Sequence, residues 1–216
     1  MKLFQLALIP LLLAPMTAAA HDYWIEPSSF SPSAGSAVVI RLCASHKFPQ
    51  CGDFDFPENY KGLQIAGPDG GSSRMNIPPS LESGAGGKWT AAAGRHAFTM
   101  QLITNHPRRG EVALYTTRAV VDVPGGNGAG EAQSGTGKGL EIFLDQVSSE
   151  SMTLRVLHDG RPAQTTLQVQ PEAGRKFTLN TDRNGQVSMQ PPVSGRYLIS
   201  TSNQGVSGSL HCSIPK

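Results

Sequence analysis

Short runs of alternating hydrophobic and polar residues follow one another along this chain, separated by clusters rich in Gly, Pro, Asn and Asp. Alternation with a period of two residues is typical of a strand with one buried face, and closely spaced strands of this kind are typical of β-sandwiches. No segment shows the sustained periodicity of an amphipathic helix. We therefore predict an all-β fold. The predicted strands are residues 23–30, 37–43, 63–65, 75–77, 88–91, 97–103, 111–123, 139–144, 152–157, 165–170, 177–179, 187–189, 195–200 and 208–214.

A Gly-rich stretch, residues 124–138, interrupts the strand pattern and has the composition of a flexible linker. It predicts a boundary between an N-terminal domain of residues 21–123 and a C-terminal domain of residues 139–216. Each part contains about seven predicted strands, as an immunoglobulin-like sandwich requires. We therefore expect two β-sandwich domains joined by this linker.

Residues 1–20 have the features of a secretory signal peptide. Lys2 supplies the positive start, residues 3–16 form a mainly apolar run, and residues 18–20 are alanines, the small residues that signal peptidase reads. The apolar run is shorter than the roughly 20 residues of a membrane span. We therefore expect an exported, periplasmic protein that begins at His21 after cleavage and does not insert into the membrane.

Charge and motifs exclude several classes of function. The chain has 18 Lys and Arg residues against 16 Asp and Glu, and the leader contributes only Lys2 to this balance. A nucleic-acid binder or a polybasic membrane tether would concentrate positive charge, so we expect neither. The chain also lacks a G-x-S-x-G elbow, an H-E-x-x-H helix and a phosphate-binding glycine loop. We therefore predict a binding protein and not an enzyme.

Three cysteines in an exported chain indicate a disulfide. Cys43 and Cys51 bracket a short loop that contains His46, so a bridge between them would hold this histidine in a rigid segment. Cys212 would then keep a free thiol. The pairings Cys43–Cys212 and Cys51–Cys212 stay open, because connectivity cannot be deduced from sequence.

The first residue of the mature chain is the main candidate for a metal ligand. A terminal His21 would offer its α-amine and its imidazole to one ion. If the first two strands form a hairpin in which Phe30 faces Ser36, then His21 faces Ser45, and a shift of one residue brings His46 beside His21. Nitrogen ligands in a planar arrangement suit Cu(II) and Ni(II).

A third candidate ligand follows from strand direction. Strict alternation places His106, just after the predicted strand of residues 97–103, at the same end of the sandwich as His21. The alternative interpretation is that His46 and His106 are ordinary loop residues. We expect His96 to pack beside the sheet, and we assign no role to His158 or His211.

Several segments resemble a family of exported bacterial proteins of unknown function, grouped with the periplasmic nickel-uptake (NikM-type) components of cobalt/nickel transporters. They are HDYWIEP at residues 21–27, SHKFP at residues 45–49 and KGLEI at residues 138–142, of which the first two are the informative ones. Three others, VLHDGRP at residues 156–162, TDRNG at residues 181–185 and GRY at residues 195–197, also resemble carboxypeptidase-regulatory-like sandwiches. The resemblance implies two β-sandwich domains, a nickel or cobalt role, metal held near His21 and His46, and a membrane metal transporter as partner.

These observations together predict a periplasmic protein that binds a divalent metal ion, nickel, cobalt or copper, and supports metal uptake or buffering. The first alternative is a structural or adhesive sandwich module, in which the loop of residues 44–60 would contact the partner. The second is a copper oxidase that uses an N-terminal histidine brace, which would need an aromatic substrate face. Aromatic residues make up only 6% of the chain.

Overall fold

The computed structural model describes residues 22–52, 62–77, 86–106, 111–126, 135–203 and 205–216, without the side chains of residues 104–106, 111 and 112. The strands of the first half are β1 (Asp22–Pro27), β2 (Ala37–Ser45), β3 (Leu63–Ala66), β4 (Ser72–Met75), β5 (Gly87–Thr90), β6 (Gly94–His106) and β7 (Glu111–Val123). Those of the second half are β8 (Leu140–Val147), β9 (Met152–His158), β10 (Arg161–Pro162), β11 (Thr166–Pro171), β12 (Phe177–Asn180), β13 (Gln186–Met189), β14 (Gly195–Asn203) and β15 (Val206–Ile214). The described part contains no helix with the length and hydrophobicity that a membrane crossing requires.

The strands form three sheets that pack as layers. The central sheet has eight strands in the order β12-β11-β14-β15-β7-β6-β3-β4. A sheet of β1, β2 and β5 covers its first-half strands, and a sheet of β8, β9, β10 and β13 covers its second-half strands. The prediction of an all-β sandwich architecture is confirmed.

The two outer sheets lie on opposite faces of the central sheet. In β7, Ala119 and Val121 belong to the first hydrophobic core, whereas Val120 between them belongs to the second. This arrangement follows from the pleat, because successive side chains of a strand point to opposite faces. Each fully buried aliphatic side chain in these cores contributes roughly 1.5–3 kcal/mol relative to exposure.

The two halves share the central sheet through one parallel strand pair. β7 and β15 pair from Leu114–Val206 to Ala119–His211. Residues 127–134 of the predicted linker lie outside the described residues. The division into two domains at residues 124–138 stays a prediction; the first core comes from residues before this stretch, and the second comes from residues after it together with Val120.

β1 is an edge strand, as Pro27 near its end predicts. In addition to its pairing with β2, the backbone of β1 receives hydrogen bonds from two side chains of β15. Ser209 Oγ donates to the carbonyl of Tyr23 (2.6 Å), and His211 Nδ1 donates to the carbonyl of Ile25 (2.9 Å). These two bonds attach β1 to the last strand of the second half.

The register of β1 and β2 differs from the predicted hairpin by one residue. Asp22 faces Ser45, whereas the prediction placed His21 opposite Ser45. Ser36 N–H donates to the carbonyl of Ser33 (3.1 Å) and closes the turn. Gly35 N–H donates to the carbonyl of Ala91 (2.7 Å), which directly follows β5. The shift therefore comes from a turn whose geometry also depends on a contact distant in sequence.

The predicted disulfide Cys43–Cys51 is confirmed. Cys212 carries a free thiol that is fully buried, and burial raises its pKa to about 12. The bridge links the end region of β2 to the residue just before Gly52, which pairs with Ala44. The disulfide thus joins the two ends of the loop that contains His46.

Candidate functional site at the start of strand β1

The predicted metal site lies at the open end of the β1–β2 pair. Its last described pair is Asp22 with Ser45, and both side chains are half-buried. His21 lies outside the described residues. His46 follows β2 directly and is exposed.

The loop that carries His46 is anchored on both sides of this residue. Before it, Ser45 belongs to β2, and its hydroxyl accepts a hydrogen bond from Lys47 N–H (3.1 Å). After it, Phe48 is buried in a small cluster with Trp24, Cys43 and Leu198, with the Phe48 and Trp24 rings edge to face at 5.7 Å. The disulfide therefore encloses a loop whose backbone position is set by packing, while the His46 side chain stays accessible.

His106 is the last residue of β6, where it faces Glu111 of β7, and its side chain is not described. β1 runs alongside β7 in the same direction, because the Tyr23 ring packs on Tyr115 at 4.9 Å while Asp122 N–H donates to the carbonyl of Phe30. The backbone of His106 therefore lies at the same end of the layers as the start of β1. Its role as a ligand stays a prediction.

The remaining histidines have other surroundings. His96 is buried, its Nε2 lies 2.8 Å from the carbonyl of Ala92, and its ring packs against Trp89, as predicted for a histidine beside the sheet. His158 lies in the second half, 3.8 Å from the carboxylate of Asp159. Within the described residues, no three His, Cys, Asp or Glu side chains cluster as a metal site would require.

A partly buried ionic cluster next to β1 was not predicted from the sequence. Arg196 bridges two carboxylates, with contacts of 2.6 Å to Glu26 and 2.6 Å to Glu172. Trp24 Nε1 donates to the second oxygen of Glu26 (2.9 Å). Burial raises the pKa of Glu26, against the opposing effect of its hydrogen bonds from Trp24 and Arg196. The cluster ties β1 to β14.

His211 completes this cluster from β15. Its side chain is fully buried between the rings of Phe30 and Phe48, at 4.6 and 5.2 Å. Because a carbonyl can only accept, Nδ1 carries the proton that bonds Ile25, and Nε2 has no hydrogen-bond partner among the described residues. Burial lowers the pKa of His211 to about 3, so the ring is neutral at physiological pH.

A cavity of about 400 Å³ opens beside β1, between Asp22 and Tyr23 on one side and strands β11, β14 and β15 on the other. We call it the polar cleft. Its lining also includes Tyr115, Thr116 and Thr117 of β7, Thr166 and Gln168 of β11, Ser200, Thr201 and Ser202 of β14, and Ser207, Gly208 and Ser209 of β15. No local sequence pattern indicates this cleft, because these residues come from five strands that are far apart in the chain.

Burial affects the two tyrosines at the wall of the polar cleft. It raises the pKa of Tyr23, with a smaller effect from Tyr115. It also raises the pKa of Tyr115, and the negative charge of Asp22 acts in the same direction. Both phenols therefore stay protonated at physiological pH and can donate hydrogen bonds.

The family of the chain is identified by a match over most of its length. The model of a domain of unknown function, DUF4198, matches residues 18–205. The chain belongs to the DUF4198 family. The family description states no function, so the relation to NikM-type nickel/cobalt uptake stays a prediction. Comparison with curated proteins gave no match.

Solved structures show only weak similarity to this DUF4198 chain. A DUF4785 family protein from Legionella pneumophila has 9% identity and a TM-score of 0.36, covering 85% of this chain and 51% of its own. This chain thus spans about half the length of that protein. Fibronectin(III)-like modules of Clostridium thermocellum CbhA have 11% identity and a TM-score of 0.23, with coverage of 88% and 93%. Murine CEACAM1b has 12% identity and a TM-score of 0.24, with coverage of 89% and 98%. Similarities of this strength carry no argument about this chain.

Proposed function

We propose that this DUF4198 protein is exported to the periplasm and binds one divalent transition-metal ion, nickel, cobalt or copper, at its mature N-terminus. The observation that supports the proposal is the register of β1 and β2. Asp22 faces Ser45, and the same register continued by one residue would bring position 21 opposite position 46. Facing residues in a strand pair have Cβ atoms about 5 Å apart, close enough for two imidazoles to share an ion.

The anchored loop supports His46 as a ligand. The disulfide Cys43–Cys51, the buried Phe48 and the Lys47–Ser45 hydrogen bond hold the backbone on both sides of this residue. A ligand whose backbone is already ordered loses less conformational entropy on binding. The His46 imidazole is therefore ready to bind without rearrangement of the loop.

The terminal amine gives the proposed site a distinctive pH dependence. An α-amine has a pKa of about 8, so metal must displace a proton from it at neutral pH. Affinity should therefore rise between about pH 6 and 8, as the amine loses its proton more readily. His106 is the proposed third ligand, since its backbone lies at the same end of the layers.

The finer part of the proposal is a role in nickel or cobalt uptake, with a membrane metal transporter as partner. It rests on the resemblance of residues 21–27 and 45–49 to NikM-type components. A binding role, and not catalysis, is proposed because no catalytic motif occurs in the sequence. Buffering of periplasmic metal is the same activity without the transporter.

Calorimetric titration of untagged, periplasmically processed protein with Ni(II), Co(II) and Cu(II) tests the proposal. We expect binding of one ion per chain, and His46→Ala should weaken it by at least tenfold, since one ligand is lost. His158→Ala is the matched control, because His158 is half-exposed but lies in the second half. Binding that is equal in wild type, His21→Ala and His46→Ala would refute the proposal and favour a structural or adhesive module.

A further inference from the structure

The lining of the polar cleft differs from that of a typical small-molecule pocket. Such pockets are mostly apolar, whereas every residue that lines this cleft except Gly208 has a polar side chain or a phenol, and ten carry a hydroxyl group. Asp22 is the single charged residue of the described lining, and neither Lys, Arg nor His is part of it. An anionic ligand would therefore meet no positive charge and one negative charge, and an apolar ligand would leave these hydroxyls unpaired.

The floor of the cleft is an ordered grid of polar side chains. Gln168 of β11 faces Ser200 of β14, and Ser200 faces Ser209 of β15, so the three form a row across the sheet. Ser202 faces Ser207 in the next row. Neighbouring strands lie about 4.8 Å apart, which is comparable to the separation of alternate hydroxyl groups around a six-membered sugar ring.

Most side chains of this grid make no hydrogen bond within the described part of the protein. Ser209 holds the carbonyl of Tyr23, but the side chains of Gln168, Ser200, Ser202 and Ser207 make no hydrogen bond to another described residue. Ser200 and Ser207 are half-buried in the concave surface. Polar side chains in such positions usually have partners, which here must come from water or a ligand.

The wall of the cleft adds two features that complement a sugar. The Tyr23 and Tyr115 rings, tilted by 58° with centroids 4.9 Å apart, offer aromatic surface beside the polar floor. The carboxylate of Asp22 can accept two hydrogen bonds from adjacent hydroxyls. A cleft between the two halves of a protein is also a common place for a ligand site.

We propose that the polar cleft binds a neutral polyhydroxylated ligand, a carbohydrate of about one or two sugar rings at this volume. The floor rows Gln168–Ser200 and Ser202–Ser207 hydrogen-bond its hydroxyls, and the tyrosine wall contacts its C–H face. This site is distinct from the metal site proposed above and does not depend on it.

Saturation-transfer NMR on metal-free, full-length protein tests this assignment, with maltose, cellobiose and N,N′-diacetylchitobiose at millimolar concentration as probes. At least one probe should bind, and Gln168→Leu with Ser200→Val should raise its Kd by about tenfold or more, since two hydrogen bonds are lost. Gln186→Leu is the matched control, because Gln186 is an exposed strand glutamine in the outer sheet of β8, β9, β10 and β13, and it should bind as wild type does.

Three results would overturn the assignment. The first is that no neutral sugar binds to a protein whose fold is confirmed by its NMR spectrum. The second is that the double variant binds as tightly as wild type. The third is that glucose 6-phosphate binds more tightly than every neutral probe. His46→Ala should leave sugar binding unchanged, so failure of the metal proposal and failure of this one are separate outcomes.

Discussion

The buried His211 should make the stability of the protein depend on pH between about 3 and 6.5. Its pKa falls from an ordinary 6.5 to about 3 in the folded protein, mainly because of burial. The carboxylate of Glu26 lies 3.4 Å from Nδ1, yet it is already hydrogen-bonded by Trp24 and paired with Arg196, so it does not keep the imidazole charged. Arg196 acts further against protonation, and Glu172 favours it.

The direction in which the free energy of unfolding changes with pH follows from proton linkage. The unfolded chain binds a proton at His211 below pH 6.5, and the folded protein does so only near pH 3. The contribution to stability is therefore complete above pH 6.5 and is lost as the pH falls towards 3. One pKa unit corresponds to about 1.4 kcal/mol, so the free energy of unfolding should fall by roughly 2–3 kcal/mol between pH 6.5 and 4.5. The raised pKa of Glu26 opposes this loss, and the lowered pKa of Glu172 adds to it below about pH 4.5.

Urea unfolding followed by tryptophan fluorescence at a series of pH values measures this loss, since Trp24 is fully buried in the same region. His211→Phe keeps an aromatic ring between Phe30 and Phe48 but cannot be protonated. It should be less stable at pH 7, because the bond to Ile25 is lost, and its stability should change less between pH 6.5 and 4.5. His158→Ala should keep the wild-type slope. Parallel pH profiles for wild type and His211→Phe would refute the reasoning.

Three further predictions concern the contacts around β1 and the cysteines. Arg196→Ala should cost about 2–3 kcal/mol of unfolding free energy, because it leaves the buried Glu26 without its cation. Glu172→Gln, at the exposed side of Arg196, should cost under about 1 kcal/mol. Equal losses of the two variants in chemical denaturation would contradict this prediction. Replacing Cys43 and Cys51 by serine should lower the free energy of unfolding by about 2–3 kcal/mol, as expected for a bridge over a sequence separation of 8. The same variant should bind the metal more weakly. Unchanged stability and unchanged metal affinity would argue against an anchored loop. Cys212 should react with Ellman's reagent only after denaturation, because its thiol is buried with a pKa of about 12; rapid labelling of the folded protein would contradict its placement in the core.

Much of the strand pattern could be predicted from local sequence. β7 has the predicted bounds, and the alternation of Met152, Leu154 and Val156 indicates the buried face of β9 correctly. The strand predicted at residues 75–77 was wrong, since β4 covers Ser72–Met75. The serines and the arginine of β4 face solvent at the edge of the central sheet, so hydrophobic alternation could not reveal this strand. The two-residue strand β10 was missed for the same reason.

The parallel pairing of β7 with β15 could not be predicted, because no local signal specifies a partner so distant in sequence. The polar cleft depends on this pairing, since it brings Tyr115 next to Ser207. In the sequence, Ser200 and Ser202 of β14 indicate only a solvent-facing side. The sequence signal that could have found the ionic cluster is Glu26 itself, an acidic residue between Ile25 and Pro27 of the first strand.

The proposal of a metal site at the mature N-terminus depends most directly on which residue begins the chain and on what that residue holds. Native mass spectrometry of the protein isolated from the periplasm without a tag reports both. We predict a chain that begins at His21 and retains one nickel, cobalt or copper ion, and the ion should be lost when a single alanine is added before His21. A chain that begins elsewhere, or one that retains the same ion with the added alanine, would contradict the proposal.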